Sequence, residues 1–383
     1  MAQGTTMQEL AFKKSELGSI GVEVELQIVD NNTFKLTSWA KEILDHFDDT
    51  RHHDRINHEI TQGMVEINTN VHTCPEQLYD ELTFLQNTLI KYSKGKNFSF
   101  CGGGTHPFQD WHDQKIFPDE RYQKVLQRFQ FLCKQATIFG QHVHFGCETT
   151  EQAIYLTHAL AQYTPLLIAL SSSSPFYQGV DSGFCSSRNT QFNAFPICGY
   201  MPFFKDWDEF SDYFYHLKNL GLIESMKDVY WDVRPKPEFG TVEVRILDTP
   251  LTLRKAAALS AFIQALGLYL IDQRPIQLTK EMYYLYGCNR FEASRYGLDG
   301  YCSNGDIYKN HLIKKDLIDT FNVIEPYANK DNQASLFQEL KESVHQQECD
   351  ALYLRDVFNK EHSLERVVEK QCEIWVTPEK GRL

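Results

Sequence analysis

No CxxC pair occurs in this 383-residue chain, although it holds ten cysteines, which stand singly along its length. That spacing argues against a zinc knuckle and a disulfide framework, and reduced thiols in a cytoplasmic protein are the expected state. The opening residues, MAQGTTMQELAFKKSELG, lack both an apolar stretch of signal-peptide length and a cleavage-like site, so export is not indicated. Long apolar runs are missing too. The most apolar helix-like stretch, AAALSAFIQALGLYLI, is broken by Ser260 and Gln264; it falls short of the roughly 18 to 20 residues of a membrane span and reads as a core helix. Basic runs are equally scarce. With a net charge of −13, neither nucleic acid nor an anionic membrane is an expected partner, and an anionic ligand has to be held by a local site. There is no GxxxxGK[ST] loop, and CGGGTHP lacks the lysine and the later glycine spacing, which leaves a P-loop nucleotide site unsupported.

What is present is alternation. Strand-like period-two patterns occur in GSIGVEVELQIVD, MVEINTN, NFSFCGG, FGQHVHFGC and GTVEVRILD, with helical periodicity between them. Leu78, Leu82, Leu85 and Leu89 form one apolar stripe on a helix that follows Pro75. Thr149 and Gln152 make a capping box before EQAIYLTHALAQY. Strands and helices mix without a strict βαβ rhythm, which predicts an α+β fold with a largely antiparallel sheet. No repeat or low-complexity linker divides the chain. Beyond about residue 275 helical patterns such as ASLFQELKESVHQQ dominate, and this region is expected to pack on the same domain.

The alternating segments carry charge on one face. In FGTVEVRILD, Glu243 and Arg245 share a face with Thr241, while Val242, Val244 and Ile246 take the other. GVEVEL pairs Glu23 with Glu25, FGQHVHFG pairs His142 with His144, and NHEITQGMVEINTN offers Glu66, with Glu59 seven residues earlier. Each segment alone is readable as the wet face of a half-buried strand. Together they favour a shared ligand-bearing sheet face, because neighbouring like charges repel unless something positive lies between them. Oxygen-rich ligation with little sulfur suits Mg²⁺ or Mn²⁺ better than Zn²⁺. A nucleotide on such a face would be held by metals bridging its phosphates, with Arg188, Arg234 and Arg245 as candidates to take developing charge.

The segments GVEVEL, GTHP, QHVHFG, ALSSSSPFYQGVDSGFCSSRNTQF, FPICGYMPFF, WDVRPKPEFGTVEVRILDTPLT and NRFEASRYGL resemble, in the same order, the motifs of the carboxylate-amine ligases of the glutamate-cysteine ligase type 2 family. The resemblance runs from about residue 18 to at least residue 298. It implies a glutamine-synthetase-like catalytic fold, a curved, largely antiparallel sheet carrying metals and ATP with helices on its outer side. Residues 1–17 would be an N-terminal extension, and residues 18–383 a single ligase domain. By resemblance, Glu23, Glu25, Glu59, Glu66, His142 and Glu243 would hold divalent ions. His144, Arg234 and Arg245 would contact nucleotide phosphate, Arg234 and Arg245 acting on the transferred phosphoryl group, and Arg188 would bind a substrate carboxylate. Asn289 and Arg295 match a family motif without a derived role. The implied reaction takes a carboxylate, such as the γ-carboxylate of glutamate, through an acyl phosphate to an amide with an amine such as cysteine. A homo-oligomer is left open. Two alternatives stand beside this reading: a metal-dependent hydrolase built on the HxH pair, which leaves the ExE and ExR strands idle, and a non-catalytic ATP- or anion-binding relative.

Overall fold

The computed structural model describes residues 8–50, 52–135, 137–303, 310–328, 334–377 and 383. Its centre is a seven-stranded sheet. The strands are β1 (Ile20–Asp30), β2 (Ile56–His58), β3 (Met64–Asn68), β4 (Phe98–Cys101), β5 (Gly140–Gly146), β6 (Val233–Lys236) and β7 (Thr241–Asp248). The order across the sheet is β6-β7-β5-β1-β3-β2, with β4 joined to β1. Every pairing in it is antiparallel. The long β1 changes partner on one edge, pairing with β5 over Ile20–Val24 and with β4 over Gln27–Asp30. β2 and β6 are additions to the strands expected from alternation. Both are short, and β6 contains Pro235, which is tolerated because β6 is an edge strand whose outer N–H groups need no partner.

One face of the sheet is apolar. Val22, Val24, Leu26, Val65, Ile67, Val143, Phe145, Val242 and Val244 are almost wholly buried beneath helices α1 (Pro75–Ser93), α2 (Thr150–Gln162) and α3 (Leu253–Gln273). The leucine stripe of α1 is buried as its spacing predicts, and the Thr149–Gln152 capping box opens α2. α3 is longer than its unbroken apolar run. Its 21 residues have a mean hydropathy, over the most apolar window, of 1.3, enough for a membrane span by length and composition, yet 72% of that window is buried inside the protein. Ser260 and Gln264 do not interrupt it, because each finds a partner: Ser260 accepts from Gln141 Nε2 at 3.1 Å, and Gln264 donates to the carbonyls of Gly18 and Thr73, both at 2.8 Å. Gly267 lets α3 sit close, since a Cβ there would stand 2.4 Å from the Phe145 ring.

The later part of the described chain is mostly helical, with α4 (Tyr286–Tyr296), α5 (Ile313–Ala328), α6 (Ser335–His345) and α7 (Leu364–Val376), besides a short antiparallel strand pair of Tyr301–Ser303 and Asn310–Leu312. α5 and α6 pack on α3, and α7 packs on β4. All ten cysteines are free thiols.

Candidate functional site

Strand register assembles the charged face. Directly across the ladders, Glu25 faces Glu66, Glu23 faces His142, His144 faces Glu243, and Glu243 faces Arg234. Residues opposed in an antiparallel pair point to the same side, so these side chains form a continuous row over β3, β1, β5, β7 and β6. Glu59 lies one residue beyond β2, in the following turn, and reaches the same row. Apart from His144, the row lines a cleft of about 580 Å³, together with Tyr122, Lys227 and Lys236.

The cleft is polarised. At one end, ligand oxygens of Glu25, Glu59 and Glu66 lie within 4.8 Å of one another. Burial, and then the charge of Glu59, pushes the Glu25 carboxyl up to about 8. Burial with the charges of Glu23, Glu59 and Glu25 holds Glu66 well above the usual carboxylate range, and burial also raises Glu59. In the middle, Glu23 takes His142 Nδ1 at 2.9 Å and His144 Nε2 at 3.2 Å. Burial opposes its charge, but these two hydrogen bonds hold the Glu23 carboxyl well below its ordinary value. Burial, followed by the Arg245 charge, lowers His142 to about 4, so its ring is neutral near pH 7. At the other end, Arg234 grips Glu243 with Nε–Oε2 at 2.7 Å and Nη2–Oε1 at 3.2 Å, and Arg245 Nη1 bonds the same carboxylate. Against the effect of burial, the two arginines keep Glu243 well below the carboxylate range.

This donor set fits divalent cations. Besides the three glutamates, Glu23–Glu66–His142 and Glu23–His144–Glu243 each bring ligand atoms within 4.8 Å. His142 Nε2 is buried without a hydrogen-bond partner, an uncommon state for a neutral ring nitrogen and one that a cation would relieve. Carboxylate oxygens predominate, which matches hard ions of the Mg²⁺ or Mn²⁺ kind.

Other expected residues lie off the cleft. Arg188 is buried behind the row, on the backbone carbonyls of Arg245 and Ile246. Asn289 pairs with the Ser303 backbone in both directions at 2.9 Å, and Arg295 lies over the rings of Phe184 and Tyr296. The residue of that motif connected to the site is Arg290, which sequence reasoning passed over. Its Nε donates to Asp232 Oδ2 at 2.8 Å, Tyr286 Oη donates to the same oxygen at 2.7 Å, and the Asp232 carbonyl accepts from the Arg245 N–H at 2.8 Å. Lys236 was also missed, though it stands two residues from Arg234 and shares its face. In CGGGTHP, the N–H of Gly103 goes to the Thr249 carbonyl and that of Gly104 to Ser173 Oγ, each at 3.0 Å, so these amides are already used within the protein.

The family described as "Glutamate-cysteine ligase family 2(GCS2)" matches residues 19–372. The chain belongs to this family. It is 47% identical over 376 residues to "Putative glutamate--cysteine ligase 2-1" of Legionella pneumophila (strain Corby), covering 98% of both chains. It is 43% identical over 367 residues to "Putative glutamate--cysteine ligase 2" of Janthinobacterium sp. (strain Marseille), covering 96% of this chain and 99% of the relative. Among solved structures, a glutamate–cysteine ligase from Francisella tularensis in complex with AMP superposes with a TM-score of 0.68 at 14% identity, over 95% of this chain and 89% of that one. A bifunctional glutathione synthetase from Pasteurella multocida gives 0.66 at 14% identity, over 94% and 52%. The glutamate-cysteine ligase family 2 fold is therefore the α+β, antiparallel-sheet architecture expected from the motifs.

Proposed function

We propose that this family member is an ATP-dependent carboxylate-amine ligase that activates a carboxylate, the γ-carboxylate of glutamate, as an acyl phosphate and joins it to an amine such as cysteine. The polarised cleft carries the reading: buried glutamates and a partnerless imidazole nitrogen at one end, and two arginines on one carboxylate at the other. Both ATP and the acceptor carboxylate are anions, so their encounter requires positive charge on either side of the transferred group. Mg²⁺ or Mn²⁺ bound by Glu23, Glu25, Glu59, Glu66 and His142 would supply that charge at the acidic end, and an ion on Glu243 with Glu23 would supply it nearer the arginines. Arg234 and Arg245 orient phosphate oxygens from the other end, with His144 beside Glu243 on the neighbouring strand β5, and expulsion of water from the cleft favours attack by carboxylate and then amine over hydrolysis. The names of the relatives and the AMP in the Francisella structure agree with a nucleotide-using ligase. A hydrolase with one ion on both histidines is less well supported, because among the described residues each cation cluster contains one histidine at most. Free thiols agree with a cytoplasmic setting.

The test is a reaction with glutamate, cysteine, ATP and Mg²⁺. ADP, phosphate and an amide should form together. AMP with pyrophosphate would replace the acyl phosphate by an adenylate, and cleavage of substrates without ATP would favour the hydrolase. In the same assay Arg245→Lys keeps the charge but loses the planar fork. Loss of one well-placed donor typically costs about 10²- to 10³-fold in kcat; near-normal kcat at saturating ATP would reduce Arg245 to a structural ion pair.

A further inference from the structure

Arg188 is 2% exposed and does not line the main cleft. It borders, with Asp232, Arg245 and Ile246, a cavity of about 10 Å³. Such a space admits about one water at most and no substrate carboxylate. Two of its guanidinium nitrogens are engaged elsewhere: Nη1 donates to the Ile246 carbonyl and Nη2 to the Arg245 carbonyl, both at 3.3 Å.

Those carbonyls belong to an irregularity in β7. Pairing with β5 runs to Val244↔Val143 and resumes at Leu247↔Gln141, which leaves an extra residue on β7. A bulge of this kind re-aims a side chain and takes backbone groups out of the ladder, and buried carbonyls must then find donors. Arg188 supplies them from one side. From the other, the Asp232 carbonyl takes the Arg245 N–H, and Arg290 and Tyr286 fix the Asp232 carboxylate. Space for the guanidinium exists because residue 140 is glycine: a Cβ there would stand 2.1 Å from Arg188 Nη2. The serine-rich motif holds Arg188 in turn. Ser174 Oγ accepts from the Arg188 N–H at 3.2 Å and donates to Asp248 Oδ2 at 2.6 Å, while Ser186 Oγ donates to Asp248 Oδ1 at 2.8 Å.

We infer that Arg188 is a positioning residue: by capping the two bulge carbonyls it sets the direction in which Arg245 enters the cleft, and it does not itself bind the substrate carboxylate. This rests on the proposed contact between Arg245 and nucleotide phosphate. The test uses binding of Mg²⁺·ADP by calorimetry, independent of turnover, on the full chain and on Arg245→Lys, Arg188→Lys and the double variant. Residues that act through one another are non-additive. Each single change should weaken Mg²⁺·ADP binding about tenfold or more, and the double variant should be no more than about threefold worse than Arg245→Lys. Glutamate binding should stay within about twofold in Arg188→Lys. Wild-type ADP affinity in Arg188→Lys, additive losses in the double variant, or a selective loss of glutamate binding would each overturn the inference. If Arg188→Lys does not fold, Gly140→Ala decides: it leaves the guanidinium chemically intact but displaces it, and should weaken Mg²⁺·ADP binding likewise, whereas unchanged affinity refutes the role. Absence of ATP turnover in the unmodified protein would defeat the ligase reading while the binding cycle still decides this one. Unimpaired ADP binding in Arg245→Lys would defeat both.

Discussion

Glu66 stands directly across from Glu25, and each residue is 8% exposed, so two charges there would be poorly screened and both carboxyls are driven toward their neutral forms. Glu66→Gln keeps the shape and replaces a carboxyl that burial and its acidic neighbours force to hold a proton with an amide that needs none. Without metal, the variant should unfold at an equal or higher temperature than the original protein, while its Mn²⁺ affinity falls at least about tenfold. Thermal unfolding combined with a Mn²⁺ titration checks both, and a lower melting temperature with unchanged Mn²⁺ binding would make Glu66 a structural group. Most of this row was legible residue by residue. Period two within one strand reveals that Glu23 and Glu25, His142 and His144, or Glu243 and Arg245 share a face, because alternation is a property of the local chain. Tyr122 and Lys227 were not legible, since they reach the cleft from short helices whose packing alone brings them there. Arg290 is intermediate. It lies four residues after Tyr286 on α4, so both can reach Asp232 from one helix face, but nothing in the motif says that this face, rather than that of Asn289 or Arg295, turns toward the sheet.

Among the elements, the five strands with clear alternation were readable, and the two short ones were not. Three residues in β2 and four in β6 are too few to display a period, and Pro235 disguises β6 as a loop. Register lies beyond local pattern as well: alternation in β1 and β5 shows which residues share a face within each strand, whereas the opposition of Glu23 and His142 is fixed by how the strands meet. α3 governs part of that meeting from behind. Phe145 follows His144 on β5 and points to the apolar face, where its ring touches the helix at Gly267. Gly267→Ala should therefore push helix and strand apart. Better helix propensity favours alanine by about 1 kcal/mol, but overpacking a tight core costs about 1–3 kcal/mol, so the net change is destabilising. Urea unfolding measures that cost, and a Mn²⁺ titration shows whether the displacement reaches the histidine row. A stabilised variant would mean that the helix shifts without resistance.

For the whole molecule, acid stability follows from histidines buried away from the cleft. His106 is 2% exposed, its Nε2 meets the Phe34 carbonyl at 2.8 Å, and its Nδ1 accepts from the Gln109 N–H at 3.0 Å, so the neutral ring satisfies both neighbours. Burial lowers it to about 4. An unfolded histidine titrates near 6.5, so between these values the unfolded chain binds more protons. The contribution of His106 is then complete above about pH 6.5 and is lost as the pH falls toward 4, by about 2 kcal/mol between pH 7 and pH 5. Denaturant unfolding at the two pH values should show the loss, and His106→Gln should reduce the difference. The remaining question at this scale is whether the helical C-terminal region belongs to the same cooperative unit. The main apolar cluster includes Ile20 and Val143 from the sheet together with Leu336, Val368 and Trp375 from the late helices. On α7, Trp375 is 1% exposed with its ring 5.9 Å from that of Phe100 on β4, and Gln371 Nε2 donates to the Gly102 carbonyl at 2.9 Å. Contacts of this kind make helix and sheet mutually dependent. Trp375→Ala should cost about 3–5 kcal/mol, and the loss should appear as one calorimetric transition moved to lower temperature, with Mn²⁺ binding at the distant carboxylate row disappearing in step. A melt that splits, in which the α7 region unfolds early while the row binds Mn²⁺ up to the original temperature, would assign these helices to an independent unit and refute the single-domain reading.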